Sequence, residues 1–192
     1  MIELYEKYRE LIERLYIREN DNFCQPHFHR HIELLYSLES GLLVTVNGVS
    51  RLMNKGDVAM IDSFDTHSYP NPQKLKSISI VIPIALCPEY KEKTKNLMLS
   101  SNFITDSDTC SEILCLIRLI QKHTYNVDGP LYLTTHYSRK DETFINGCIA
   151  ALMGIILRTI PLVKRTKNQD ENLTKDILIY FDEHYSEDLS LD

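Results

Sequence analysis

Between Phe23 and Pro83 the chain consists of short runs rich in β-branched and other apolar residues, separated by turn signals. The clearest turn is Asn47-Gly48, a dipeptide typical of a tight β-hairpin, and Lys55-Gly56-Asp57 marks the next one. Around these turns the pattern predicts strands at 32–38, 42–46, 49–53, 58–61 and 77–82. Many short strands with closely spaced turns indicate a β-sandwich or a small barrel.

Helical periodicity flanks this β-rich segment on both sides. Apolar residues recur at three- and four-residue spacing from Leu4 to Leu15, which predicts an N-terminal helix within 1–22. After Pro83 we predict a short helix over 88–99 and a second that opens at the capping box Thr109-x-x-Glu112. A third helix is predicted from about 141 to 159. The expected fold class is therefore α+β, with an antiparallel β-barrel followed by a pair of helices.

The third predicted helix is apolar on nearly every side from Cys148 to Leu157. Its apolar run, Phe144 to Leu157, is shorter than the roughly 20 residues of a membrane span, so we expect a buried helix and no membrane partner. A helix without a polar face must be covered on more than one side. The barrel can cover one side, and a second helix or a second subunit must cover the other. We therefore expect a homodimer joined through the C-terminal helices, 110–124 and 141–160.

The distribution of charge argues against nucleic-acid binding by these residues. The 192 residues carry a formal net charge of −6. Residues 171–192 hold seven acids and one base, so residues 1–170, with 20 of each, sum to zero. DNA-binding surfaces need clustered Lys and Arg, which the chain lacks. The first residues do not form a secretory signal, and the five cysteines have no Cys-x-x-Cys spacing, so we expect a cytoplasmic protein with reduced thiols.

One stretch, His27 to Glu33, has a polar residue at every second position. In a strand these alternate residues would share a face. Imidazole and carboxylate groups inside a barrel could hold a divalent metal or a polar ligand, whereas on the outer face of an edge strand they would only meet water. Cys24 lies three residues before His27 and could be a nucleophile, a soft metal ligand or a packed side chain. The positions that alternate are His27, His29, His31 and Glu33.

A second stretch reads Gly56-x5-Asp62-x-Phe64-x2-His67-x3-Asn71. Together, the two stretches resemble the paired motifs of the cupin superfamily, which implies a cupin-type jelly-roll barrel. The second motif departs from the superfamily pattern at Asp62 and Phe64, where proline and glycine are usual.

In cupin enzymes the residues aligned with four of these side chains hold a metal. The resemblance therefore implies that these four converge inside the barrel, with Tyr36 or His31 nearby, as a ligand-binding pocket. We expect no cofactor, and a divalent metal on the four side chains is the alternative. They are His27, His29, Glu33 and His67.

A narrower resemblance covers nearly the whole chain. The segments 29–36, 47–48, 55–61 and 66–69 are similar to the effector domain of AraC/XylS-family transcriptional regulators. Residues 177–191 are similar to the opening of that family's DNA-binding domain. The resemblance therefore implies that residues up to Asp192 contain only the beginning of a DNA-binding domain, without a complete helix-turn-helix.

The resemblance implies four parts: an N-terminal helix (1–22), a cupin-like effector-binding barrel (23–86), a helical dimerisation region (87–163), and a linker with the first helix of a DNA-binding domain (164–192). A small-molecule effector in the barrel would favour one arrangement of the dimer and so control DNA binding by the missing part. Such a chain is not an enzyme. The alternatives are a small cupin metalloenzyme, an isomerase or oxygenase, and a binding module without a switching role.

Overall fold

The computed structural model describes residues 4–5, 14–128 and 133–164, together with Ile177 and Tyr180. The first nine strands are β1 (Leu4–Tyr5), β2 (Tyr16–Asn20), β3 (Cys24–Phe28), β4 (Ile32–Ser37), β5 (Leu42–Val46), β6 (Val49–Met53), β7 (Val58–Ile61), β8 (His67–Tyr69) and β9 (Ser77–Ile82). A 3-10 turn, Ile84–Leu86, is followed by α1 (Pro88–Thr94), β10 (Leu97–Leu99), β11 (Phe103–Ile104), α2 (Ser107–Lys122), β12 (Tyr125–Asp128), β13 (Leu133–His136), α3 (Glu142–Thr159) and β14 (Leu162–Lys164).

Two sheets of five strands each form the body of the described structure. The inner sheet, as we call it, has the order β1-β3-β8-β5-β6, and the middle sheet has the order β11-β7-β4-β9-β2. Their facing sides share one apolar cluster, so the two sheets enclose a barrel-like interior. That cluster consists of Leu35, Leu42, Val44, Val46, Met53, Ala59, Ile61 and Tyr69. Apart from the parallel contact of β1 with β3, these strands pair antiparallel, as the predicted α+β fold requires.

The helices lie on the other side of the middle sheet. Isoleucines at alternate positions of β9, Ile78, Ile80 and Ile82, face away from the barrel and join a larger apolar cluster. The helices α2 and α3 contribute one face each to this cluster, which is dominated by isoleucine. The helical residues concerned are Ile113, Ile117 and Ile120 from α2, and Ile145, Ile149, Leu152 and Ile156 from α3. The middle sheet therefore has a barrel face and a helical face.

By length and composition alone, α3 could cross a membrane. In the described structure its apolar residues instead cover the helical face of the middle sheet, and a core helix passes the same test. Its opposite side is exposed and consists largely of small residues, together with Phe144. The small residues are Gly147, Ala150, Ala151 and Gly154.

The hairpin predicted at Asn47-Gly48 is confirmed. Both residues have positive φ, 47° and 75°, as a tight turn between right-twisted strands requires. Strands β5, β6, β7 and β9 have the predicted bounds, and β4 ends one residue early, at Ser37. Alternating apolar patterns and turn dipeptides are local signals, so the sequence carries them directly.

The N-terminal helix predicted over 1–22 is wrong where the structure describes it. Leu4–Tyr5 pairs with β3, and Tyr16–Asn20 pairs with β9 along its full length. Leu15 and Ile17 fill the edge of the core, so tertiary pairing overrides the helical spacing. Because β2 and β11 form the two edges of the middle sheet, the barrel also extends beyond the predicted range 23–86. Residues 6–13 lie outside the described residues.

The segment after Pro83 contains more strand than predicted. The helix predicted over 88–99 ends at Thr94, and Leu97–Leu99 then pairs with β14. The cap of α2 is Asp106, whose carboxylate accepts the Thr109 backbone N–H, and not Thr109 itself. The linker and helix predicted over 164–192 lie outside the described residues, except Lys164, in β14, and the helical Ile177 and Tyr180.

A hairpin of β12 and β13 follows α2 and was missed by the sequence prediction. It covers the outer edge of β2 with three hydrogen bonds. The Ile17 backbone N–H donates to Thr135 Oγ1 (2.9 Å), the Asn126 side-chain amide donates to the Ile17 carbonyl (3.3 Å), and the Thr135 N–H donates to the Leu15 carbonyl (3.2 Å). The outward backbone groups of Ile17 are therefore satisfied by another part of the chain.

Candidate functional site

Four predicted site residues converge at one place in the barrel interior. His27 on β3 pairs directly with His67 on β8, Glu33 lies on the barrel face of β4, and His29 lies in the connection between β3 and β4. Their exposed fractions are 4%, 2%, 0% and 1%. The structure brings these four side chains together, and their role in ligand binding stays a prediction. They do not share the face of one strand, because β3 ends at Phe28 and the stretch from His27 to Glu33 is not one strand.

Glu33 is the centre of this group, which we call the His-Glu cluster. One carboxylate oxygen, Oε2, lies 3.3 Å from His29 Nε2 and 3.4 Å from His67 Nε2. The other, Oε1, accepts hydrogen bonds from the Tyr69 hydroxyl at 2.9 Å and the Ser79 hydroxyl at 2.8 Å. The carboxylate is therefore held by groups from the inner and the middle sheet.

Burial alone would raise the pKa of Glu33. Hydrogen bonds and charge from His29 and His67 outweigh burial and hold the pKa of this carboxyl well below its usual range. Glu33 is therefore an anion at neutral pH, although it has no exposed surface. A buried anion persists only where positive charge or several donors compensate it.

The three imidazoles share one hydrogen-bonding pattern. Each places Nδ1 beside a backbone carbonyl, that of Gln25 for His27 (2.8 Å), His31 for His29 (3.0 Å) and Asp65 for His67 (3.0 Å). A carbonyl oxygen only accepts, so Nδ1 carries the proton in each ring. The second ring nitrogen, Nε2, then carries the lone pair of each imidazole unless it binds a second proton.

This pattern fits a metal ion. With Nδ1 protonated, an Nε2 that faces the Glu33 carboxylate must either carry a second proton or share a cation with it, because two lone pairs would repel. Histidines that bind metals usually donate the other ring N–H to a carbonyl or carboxylate in this way. One donor atom from each of His29, Glu33 and His67 lies within 4.8 Å of the others. These residues are therefore suited to hold a divalent cation.

The turn before His67 contains both residues that depart from the second cupin motif, Asp62 and Phe64. Phe64 stands where the superfamily has glycine, and its φ of 61° is in the left-handed region that glycine favours. Its N–H donates to the His29 carbonyl, and the Asp62 N–H donates to the Asp65 carboxylate. These bonds hold the turn that directs His67 into the barrel.

Two further predicted residues differ in position. His31 is buried next to the cluster, with its ring centroid 6.4 Å from that of His29. Tyr36 is not brought to the cluster, because it lies on the helical face of β4 with α2. Its spacing of three from Glu33 places it on the opposite side of the strand.

Sequence reasoning missed two residues of the cluster. Tyr69 follows His67 by two positions on β8, so strand alternation places both on the same face. Ser79 is one of two serines in β9, at a position that alternates with the isoleucines. Both signals were present in the sequence, but neither residue type is a typical metal ligand.

Comparison with known proteins is informative at the level of the fold. No protein-family model matches the chain, and no curated protein sequence matches it. The AraC-like transcriptional activator CuxR is similar over 84% of this chain and 54% of its own, with a TM-score of 0.51 and 9% identity.

Two other solved structures are less similar. ToxT from Vibrio cholerae covers 92% of this chain and 67% of its own at 8% identity, with a TM-score of 0.44. A RmlC-like cupin from Shewanella frigidimarina NCIMB 400 covers 37% of this chain and 68% of its own at 23% identity, with a TM-score of 0.32. The chain thus spans about half the length of CuxR, with which it shares its α+β fold.

Proposed function

We propose that this chain is the effector-sensing and dimerisation part of a transcriptional regulator of the AraC type, acting in the cytoplasm. CuxR, whose fold it shares, is described as an AraC-like transcriptional activator, and the motif resemblance points to the same family. The chain corresponds to 54% of CuxR. DNA contacts are accordingly assigned to a part of the protein beyond residue 192.

A single observation carries this proposal: β4 connects the His-Glu cluster to the helices. Glu33 faces the barrel, and its neighbours Ile32 and Leu34 belong, together with residues of α2 and α3, to the apolar cluster on the other side. A ligand that displaces Glu33 shifts this strand, and a ligand that neutralises Glu33 removes the attraction between its carboxylate and the imidazoles of His29 and His67. Because the core is close-packed, a small shift of Ile32 and Leu34 biases the position of the helices.

The exposed side of α3 is the proposed contact with a second copy of the chain. Its small residues recur at three- and four-residue spacing, which allows another helix to approach closely. Leu152 and Ile156 already pack in the core of the same chain, so they are not part of this contact. A two-state change in the helical pair would then alter the dimer.

The experiment is a thermal-denaturation screen of the purified chain against small polar metabolites, with wild type, His67→Ala and a control, His136→Ala. His136 lies outside the His-Glu cluster, on β13. We expect an effector to raise the melting temperature of wild type and the control but not of His67→Ala. An effector that stabilises all three proteins equally would contradict the site, and a screen without any stabilising compound would contradict the sensing role.

A cupin metalloenzyme is the second candidate, favoured by the three Nδ1–carbonyl hydrogen bonds. In that function His29, Glu33 and His67, with His27 beside them, would hold a divalent metal, which would act as a Lewis acid or oxygen-activating centre. The residues of the chain would fix the imidazole rings through the carbonyls of Gln25, His31 and Asp65 and exclude water by burial.

The two candidates differ in their response to metal. The enzyme requires a bound ion for any turnover, so a metal-loaded protein that converts a test set of small hydroxy and keto compounds would favour it. A metal-stripped protein that still responds to an effector would favour the regulator. The same His67→Ala variant serves as the negative control in both experiments.

A further inference from the structure

Cys24 faces the barrel interior because β3 contains a bulge. Cys24 and His27 are three residues apart, so a regular strand would place them on opposite faces. Their partners on β8, Tyr69 and His67, are only two residues apart, and the register shifts between the two pairs. The extra residue on β3 brings both side chains to one face, and Cys24 packs against the apolar cluster of the barrel.

This bulge produces a second set of metal donors. The Cys24 sulfur, a ring nitrogen of His27 and a ring nitrogen of His67 all lie within 4.8 Å of one another. Donor atoms around a tetrahedral zinc ion are about 3.5 Å apart, given Zn–S and Zn–N bonds of about 2.3 and 2.0 Å. The three donor atoms therefore need to approach one another by at most about 1.3 Å to reach that spacing. The rings of His27 and His67 are already close, with centroids 4.2 Å apart.

The two donor sets compete for one residue. His67 belongs both to this thiol set and to the set formed with His29 and Glu33. Its Nδ1 is bonded to the Asp65 carbonyl, which leaves Nε2 as the ligand atom for either ion. The sets differ in chemistry, because a thiolate prefers soft or borderline cations and a carboxylate prefers hard ones.

We propose that Cys24, His27 and His67 form a binding site for a thiophilic cation, of which Zn²⁺ is the representative, and that occupation of this site excludes a hard cation from His29, Glu33 and His67. Binding requires loss of the Cys24 thiol proton to solvent, after which the thiolate and two imidazole nitrogens ligate the ion. Three protein donors leave a fourth position of the tetrahedral ion open to water or a small ligand. This inference does not depend on the regulatory role.

The test uses Co²⁺ as a spectroscopic substitute for Zn²⁺, since a Co²⁺–thiolate bond gives an intense near-ultraviolet absorption. The proteins are the metal-stripped 192-residue chain and its variants Cys24→Ser, Cys115→Ser and Glu33→Gln. Cys115 is the matched control, because it is an exposed cysteine on α2, far from the barrel interior. Cys24→Ala is a second variant, in case the serine hydroxyl perturbs packing.

We expect the thiolate absorption in wild type, Cys115→Ser and Glu33→Gln, and its loss in both Cys24 variants. Zn²⁺ affinity should fall at least tenfold in the Cys24 variants, while Mn²⁺ affinity stays unchanged. Added Zn²⁺ should displace Mn²⁺ from wild type. A thiolate band that persists without Cys24, a wild-type protein that binds Co²⁺ without this band, or one that binds neither Co²⁺ nor Zn²⁺ would overturn the proposal. An effector response in metal-free protein would leave the proposed function intact in each case.

Discussion

The barrel face and the helical face of the middle sheet are built from the same strands but differ in chemistry. On β4, Ile32 and Leu34 pack with the helices, whereas Glu33 between them faces the barrel. The helical face is covered by isoleucine side chains, and the barrel face holds a buried carboxylate beside imidazoles. A strand with period-two alternation can therefore carry stability on one side and chemistry on the other.

The cysteines on the two faces of the middle sheet also differ in their surroundings. Cys87, Cys110 and Cys148 lie in the apolar cluster of the helical face, and Cys24 lies against the barrel cluster. Burial raises the pKa of the Cys87 thiol to about 12 and that of Cys110 to about 11. Thiols on the helical face thus act as small apolar side chains, while the thiol on the barrel face is placed among ligand groups.

The largest expected effect concerns thiol reactivity at pH 8. With a pKa of about 11, only about one Cys110 thiol in a thousand is ionised, and the thiolate is the nucleophile. We expect Cys110 to react with an aromatic disulfide reagent about a hundredfold more slowly than exposed Cys115, and Cys87, whose pKa is higher, to react more slowly still. Stopped-flow absorbance with peptide mapping measures these rates. Similar rates for Cys110 and Cys115 in the folded protein would remove the contrast between the two faces.

The next effect is a cavity on the helical face. Ile149 has no exposed surface, so Ile149→Ala should lower the free energy of unfolding by about 3 kcal/mol. Metal affinity at the His-Glu cluster should change only slightly, because the cavity lies away from the ligand atoms, as measured by metal titration of the variant. Val163→Ala, at a side chain that is 41% exposed, is the control and should cost less than about 0.5 kcal/mol. A large loss of binding in Ile149→Ala would mean that the faces are not separable.

A smaller loss of stability is expected on the barrel face. Glu33→Gln should lower the free energy of unfolding by about 2 kcal/mol at pH 7, because charge-assisted hydrogen bonds are replaced by weaker ones. Since the pKa of Glu33 is lower in the folded protein, its stabilisation is complete above the unfolded-state pKa of about 4.3. It is lost as the pH falls through the folded-state pKa.

Urea denaturation of wild type and Glu33→Gln at a series of pH values tests this sign. The difference between the two proteins should shrink below about pH 4, where the folded carboxyl takes up its proton. Glu92→Gln, at an exposed carboxylate on α1, is the control for a general charge effect. A difference that grows on acidification would contradict an ionised Glu33 in the folded state.

The smallest effect is expected at the surface, where Arg118 on α2 pairs with Glu19 on β2. Both side chains are partly exposed, 45% and 39%, so Arg118→Ala should cost about 0.5 kcal/mol and less at high salt. Chemical denaturation at low and high salt measures this. Arg158→Ala, which removes a similar pair with Glu112 between α2 and α3, should behave alike. A loss above about 2 kcal/mol would show that charge pairs, and not apolar packing, hold the helices to the sheet.

Sequence patterns predicted the local elements well and the long-range ones poorly. Strands around Asn47-Gly48 were predicted with their bounds, because the turn and the alternation are adjacent in sequence. The strand Tyr16–Asn20 was predicted as helix, because its partner Ser77–Ile82 lies about sixty residues away. Pairing at that distance leaves no local trace in the spacing of apolar residues.

The residues of the candidate site also divide into those predicted from local motifs and those that depend on long-range strand pairing. His27, His29, Glu33 and His67 were identified by their motif spacing, and the structure brings them together. Tyr36 was placed on the wrong face, although counting by two from Glu33 excludes it. The inward position of Cys24 could not be predicted, because a bulge depends on the pairing register with β8 and not on the residues of β3 alone.

The β12–β13 hairpin bears on how this protein behaves at high concentration. An open strand edge invites a strand from another molecule, the first step of fibril-like association. At β2 the outward N–H and carbonyl of Ile17 are already taken by Thr135 and Asn126. The hairpin therefore blocks this edge, so that a strand from another copy of the chain cannot pair with β2 there.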